Sequence, residues 1–141
     1  MHKGKELLFA TLRHEPVSHI PWVPFAGVHA GRLKGYTAEE VLKDADKLFE
    51  SLMEVNRIYD PDGQPVMFDL QIEAEILGCE LLWAEKAPPS VASHPLENGL
   101  EVMPDYLPQP NDGRLPLVLD VMRRMKTAVG ETTALYGLVC G

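Results

Sequence analysis

The side chains best placed for chemistry are one carboxylate and two potential cations, each beside turn-forming sequence. Asp69 directly follows the apolar run Val66-Met67-Phe68. His29 and Arg32 lie in Gly27-Val28-His29-Ala30-Gly31-Arg32-Leu33-Lys34-Gly35, which holds three glycines in nine residues and reads as a loop. A carboxylate emerging from a buried strand can accept hydrogen bonds from a substrate N–H, or move a proton if burial raises its pKa. The same residue can instead cap a helix beginning near Ile72, and the sequence leaves both open. His29 can be a ligand, a proton donor or an exposed loop histidine. Arg32 offers a planar fork to a carboxylate or phosphate, or to a surface acid. His2, His14, His19 and His94 read as surface or packing residues.

Other chemistries lack their residues. Cys79 and Cys140 stand far apart in apolar runs with no His-x-Cys or Cys-x-x-Cys spacing, so two reduced, buried thiols are expected and no metal set within this segment. No Walker loop and no G-x-G-x-x-G follows a strand. Glu73 and Glu75, two apart on a predicted helix, point to different faces. A net charge of −8, from 13 basic and 21 acidic residues, speaks against a nucleic-acid partner, because phosphate contacts need a basic face. The start of the chain does not read as a signal peptide, and no apolar run approaches the roughly 18 residues of a membrane span, so a cytoplasmic location is expected.

The elements that must position these residues follow from periodicity. Glu6 to Leu12 reads as a short helix ending before Pro16. Ile20-Pro21-Trp22-Val23-Pro24-Phe25-Ala26 reads as a first strand. Thr37 and Glu40 form a capping-box pair that starts a long helix to Tyr59, with Val41, Leu42, Ala45, Leu48, Phe49, Leu52, Val55 and Ile58 on its apolar face. Pro65 to Leu70 is a second strand, so strand, helix and strand suggest a βαβ unit with parallel strands. A short helix from Ile72 closes at Gly78, and Cys79 to Ala84 is a third strand. The proline-rich stretch from Lys86 to Gly113 is expected to be irregular or a small hairpin, with Leu100-Glu101-Val102 as its strand-like piece. Leu115 to Val129 predicts a second amphipathic helix and Thr132 to Gly141 a further strand.

Three segments resemble the uroporphyrinogen decarboxylase superfamily, which includes methylcobamide:coenzyme M methyltransferases. Leu12-Arg13-His14-Glu15-Pro16-Val17-Ser18-His19-Ile20-Pro21 looks like its opening R-x-x-P-x-x-x-x-P segment. Phe68-Asp69-Leu70-Gln71-Ile72-Glu73-Ala74-Glu75-Ile76-Leu77-Gly78 is similar to its F-x-D-I-L…E-A-x-x-L-G stretch, whose aspartate coincides with Asp69. Leu138-Val139-Cys140-Gly141 falls where the family has a strand running into a G-P-F/W-T segment. The resemblance implies an α/β fold, residues 1–141 forming the N-terminal part of a (β/α)8 TIM barrel. Such a barrel takes about 250 residues and carries its site at the C-terminal ends of the strands. A final parallel strand without a covering helix would leave an edge open, so truncation is expected.

The decarboxylase motif M-R-Q-A-G-R, which binds substrate carboxylates, falls on Gly27 to Arg32. Its second arginine is retained as Arg32, while Val28 replaces the first and His29 the glutamine. That departure weakens the case for porphyrinogen decarboxylation, and the wording Val23 to Ala30 looks more like the methyltransferase branch. The resemblance to that branch implies a zinc ion, held by a His-x-Cys pair and a distant cysteine that do not occur here, and a thiol that accepts a methyl group from a corrinoid protein. In this reading Asp69 is the catalytic residue, and His29 and Arg32 are substrate-binding. The alternatives are a uroporphyrinogen decarboxylase acting on a tetrapyrrole, and a non-catalytic barrel fragment whose edge strand pairs with a partner or, as a homo-oligomer, with a second copy.

Overall fold

Four helices lead into a mixture of short strands and helices: α1 (Gly4–Leu12), α2 (His29–Arg32), α3 (Ala38–Lys43), α4 (Ala45–Tyr59), β1 (Gly63–Pro65), α5 (Ile72–Ile76), β2 (Glu80–Leu82), β3 (Ser90–Ser93), α6 (Leu115–Val129) and β4 (Ala134–Tyr136). The computed structural model describes residues 4–97 and 105–140. His2, Gly141 and the expected strand-like piece Leu100-Glu101-Val102 lie outside the described residues.

The capping box forms: Thr37 Oγ1 accepts the Glu40 backbone N–H at 3.2 Å, and Glu40 Oε2 accepts the Thr37 N–H at 2.9 Å. The helix it starts is shorter than expected. At Asp44 the backbone extends to φ −127°, ψ 119°, and its carboxylate accepts the N–H groups of Asp46 and Lys47, so a single helix becomes α3 and α4. Aspartate competes in this way with the helix's own bonding, and so favours caps over interiors. The glycine-rich segment expected as a loop contains α2. Gly31 allows its close approach to α3, because a Cβ there would collide with Val41 Cγ2.

The strands differ more from expectation. β1 pairs parallel with β4 in the register Gly63↔Ala134, Gln64↔Leu135, Pro65↔Tyr136, and the Val66 N–H adds a bond to the Tyr136 carbonyl at 3.0 Å. The strand expected over 65–70 therefore starts at Gly63 and leaves its ladder after Val66, and its partner is the C-terminal strand. Ile20 to Ala26 joins no ladder; Pro21 and Pro24 lack donors there, and Ile20 is 88% exposed. Trp22 ties it by hydrogen bonds to the residue just before β1: its N–H donates to Asp62 Oδ2 at 2.7 Å and its carbonyl accepts the Asp62 N–H at 2.9 Å. The expected third strand forms as β2, half of an antiparallel hairpin with β3 that pairs Leu81 with Val91. The few residues joining them suit a hairpin, whereas a parallel crossover takes a dozen or more.

The core lies where α4 packs on α6 beside the parallel pair. Leu48, Leu52, Val55, Val66, Met67, Val121 and Met125 are all buried there, each stabilising by about 1.5–3 kcal/mol. Gln64, fully buried on β1, donates to the Leu52 carbonyl at 3.3 Å, and Asn56 Nδ2 donates to Thr133 Oγ1 at 3.0 Å, so polar contacts also tie α4 to the strands. α1 closes the N-terminal ends of the strands: the Lys5 N–H donates to Thr132 O and Lys5 Nζ to Gly130 O, both at 2.7 Å. The opposite end, where the chain leaves β1 through Phe68 and Asp69, carries the candidate residues.

Candidate functional site at the C-terminal end of the first strand

Asp69 is fixed by its position after Val66-Met67-Phe68, all buried. Its side chain has no solvent exposure, and both oxygens are engaged. Oδ1 accepts the Gln71 N–H at 2.8 Å, turning the chain into α5, while Oδ2 lies 2.6 Å from Arg114 Nη2. These last two atoms are in ionic contact but poorly aligned, and neither has a hydrogen-bond partner among the described residues.

Arg114, just before α6, holds the corner together. Nε donates to Glu75 Oε2 at 2.7 Å and Nη1 to the Leu42 carbonyl at 3.2 Å, and Cζ sits 4.9 Å from the centre of the Trp83 ring. Lys43 Nζ lies over the same ring at 3.9 Å. A single side chain thereby joins the ends of α3, α5 and β2 to the start of α6. Sequence reasoning missed Arg114, although it left a trace. A cation at a helix N-terminus is opposed by the helix dipole, so an arginine immediately before a helix needs a compensating acid.

His29 and Arg32 stand on α2, three residues apart and so on one face. His29 Nε2 and the Tyr59 hydroxyl are 2.9 Å apart, and Tyr59 meets Trp22 edge to face at 6.2 Å. Both residues line a cleft of about 320 Å³ with Phe25, Val28, Phe68 and Lys86. Phe25 and Phe68 pack edge to face, with centroids 6.2 Å apart. The structure thus brings His29 and Arg32 together. Asp69 is the residue after Phe68 but is not among those lining the cleft; it faces Arg114 instead. Lys86, from the turn after β2, was not anticipated and carries no sequence signal of its own.

Among the described residues no group of three or more His, Cys, Asp or Glu side chains is arranged to hold a metal ion. The described residues do not offer the donor set a zinc ion needs. The thiols expected to be buried are half-buried at Cys79 and exposed at Cys140, which lies beyond β4. Among the described residues no helix is long and apolar enough to cross a membrane.

The sequence model of the family described as uroporphyrinogen decarboxylase (URO-D) matches residues 3–141. The chain is 29% identical, over 97% of its length, to the methylcobamide:CoM methyltransferase MtbA of Methanosarcina acetivorans. It is 27% identical to the protein of the same name from Methanosarcina mazei. It spans 42% of the length of these curated relatives. A solved methyltransferase from Methanosarcina mazei superposes with a TM-score of 0.84 at 23% identity, covering 99% of this chain and 42% of that one.

Proposed function

The chain belongs to the uroporphyrinogen decarboxylase family, and from that membership we propose that it forms the N-terminal part of a (β/α)8 barrel in a corrinoid-dependent methyltransferase. The reaction is transfer of a methyl group between a corrinoid protein and a thiol-type acceptor. The observation that carries this reading is the similarity to MtbA over 97% of the chain. Val28, where the decarboxylase motif has its first arginine, favours it over decarboxylation. Zinc and corrinoid are implied for the whole enzyme, and the described residues form no zinc site.

Within that reading, His29 and Arg32 contact substrate from α2, and Asp69 supplies a carboxylate beside the cleft floor. What supports the first assignment is the shared cleft. What supports the second is burial next to Phe68 at the end of the parallel strand. For Asp69 to touch substrate directly, its contact with Arg114 must open.

The test is methyl transfer from methylcobalamin to 2-mercaptoethanesulfonate, followed by the corrinoid spectrum and by loss of free thiol, using the protein at its full cellular length. Absence of transfer above a no-enzyme control rejects the reading. Asp69→Asn is expected to lower kcat at least tenfold at a temperature where circular dichroism shows the variant folded. Unchanged kcat removes Asp69 from catalysis and leaves it a structural partner of Arg114.

A further inference from the structure

Six cations of this acidic chain pair with neighbouring acids among the described residues. Arg13 pairs with Glu15, Lys43 with Glu39, Lys47 with Glu40, Arg57 with Glu54, Arg114 with Asp69 and Glu75, and Arg124 with Asp46. Arg32 and Lys86 have no ion pair among the described residues. Lys34, Arg123 and Lys126 also lack one there, and what sets Arg32 and Lys86 apart is where they stand: both line the same two adjoining clefts, of about 320 and 270 Å³. Leaving two cations unpaired on one concavity, in a chain with net charge −8, concentrates positive potential where a small anion can enter.

Their placement is built by separate elements. Arg32 ends α2, whose approach to α3 depends on Gly31. Lys86 follows Glu85, whose carbonyl accepts the Ala38 N–H at 2.7 Å, fastening the turn after β2 to the start of α3. The neighbouring residue Glu85 is among those lining the smaller cleft and not among those lining the larger. The larger one adds an aromatic pair, Phe25 and Phe68, and the apolar side chain of Val28. Its volume is near the lower end for ligand pockets, about 300–1,000 Å³, which suits a small molecule.

We propose that Arg32 and Lys86 form a two-sided clamp for the anionic end of a small organic molecule, a sulfonate, carboxylate or phosphate, while Phe25 and Phe68 take its short apolar portion. Arg32 presents a planar fork and Lys86 a point charge. Lys86 thereby supplies, from a distant part of the chain, the second positive charge that Val28 does not. The source of the anion rests on the function proposed above: it is the tail of the thiol acceptor, or the phosphodiester of a corrinoid.

The experiment reads binding to the chain by isothermal titration, without methyl transfer. The probes are 2-mercaptoethanesulfonate, its uncharged counterpart 2-mercaptoethanol, and cyanocobalamin for the phosphodiester. At least one of the two anionic probes is expected to bind, and the uncharged thiol is not. Lys86→Gln and Arg32→Gln should each weaken that binding about tenfold or more, the loss of a charge-assisted contact, with Lys86→Arg retaining most of it. The probe that responds identifies the source. The clamp is overturned if neither anion binds, or if Lys86→Gln leaves affinity unchanged in a folded protein. Failure of the two ideas is separable: anion binding without methyl transfer keeps the clamp and removes the function, whereas transfer with KM unaffected by Lys86→Gln does the reverse.

Discussion

Two corners of the same mouth handle charge in opposite ways. In one, Arg114 is 11% exposed and its guanidinium is shared among Asp69, Glu75 and the Leu42 carbonyl, beside the face of Trp83. In the other, Arg32 and Lys86 face open clefts without an ion pair among the described residues. Buried charge must be matched, because leaving one partner alone in a poorly hydrated site is costly. Exposed charge is under no such demand, so it is available to a ligand. The contrast sets a carboxylate matched within the fold, Asp69, beside cations left open to solvent, Arg32 and Lys86.

The comparison can be broken at the paired corner first. Arg114→Met should lower unfolding free energy by about 3–5 kcal/mol, because it leaves the Asp69 carboxylate buried without a counter-ion. Urea denaturation measures this, and a change under about 1 kcal/mol would mean the corner is not the keystone described. Thr37→Ala, at the rim of the smaller cleft, should cost about 1 kcal/mol through loss of the helix cap. Arg32→Gln and Lys86→Gln should each fall within about 0.5 kcal/mol of the parent, and larger losses would show that these cations also support the fold.

A pH titration sharpens the same contrast on a surface acid. Lys47, and then the Thr37 N–H, hold the Glu40 carboxyl down from the ordinary 4.5 to about 2. A carboxylate with a lowered folded-state pKa stabilises fully above the unfolded value and loses that contribution as pH falls toward its folded value. The start of α3 should therefore loosen between about pH 4.5 and 2, visible as faster amide exchange at Glu40, and Glu40→Gln should flatten that dependence.

Helices were more legible in the sequence than strands. The capping box at Thr37 and Glu40 and the Gly78 stop are local signals and formed as read, while the apolar spacing of α4 placed Leu48, Leu52 and Val55 in the core but left Ile58 exposed. The split at Asp44 was not foreseen because the same side chain can decorate a helix surface or cap a new one, and periodicity runs through both. In α6 Val121 is fully buried while Leu119 stays exposed, a rotation that hydrophobicity alone does not fix. Strand pairing depends on distant partners. β1 meets β4 across an intervening hairpin, and nothing in Cys79 to Ala84 says whether it will pair forward or join the parallel pair. Of the candidate residues, Asp69 is singled out by its position after a buried run, and His29 with Arg32 by their glycine-rich setting. The partners Arg114 and Lys86 come from elsewhere in the chain, beyond the reach of local pattern.

Arg114 also carries a kinetic implication. It bonds across 72 residues to Leu42 and across 39 to Glu75. Closing loops of that length costs entropy that only the finished contacts return. As the polypeptide leaves the ribosome, α3, α4 and α5 can form early, but their junction stays loose until Gly113 and Arg114 have emerged. Closure of this corner accordingly follows synthesis of the segment that opens α6.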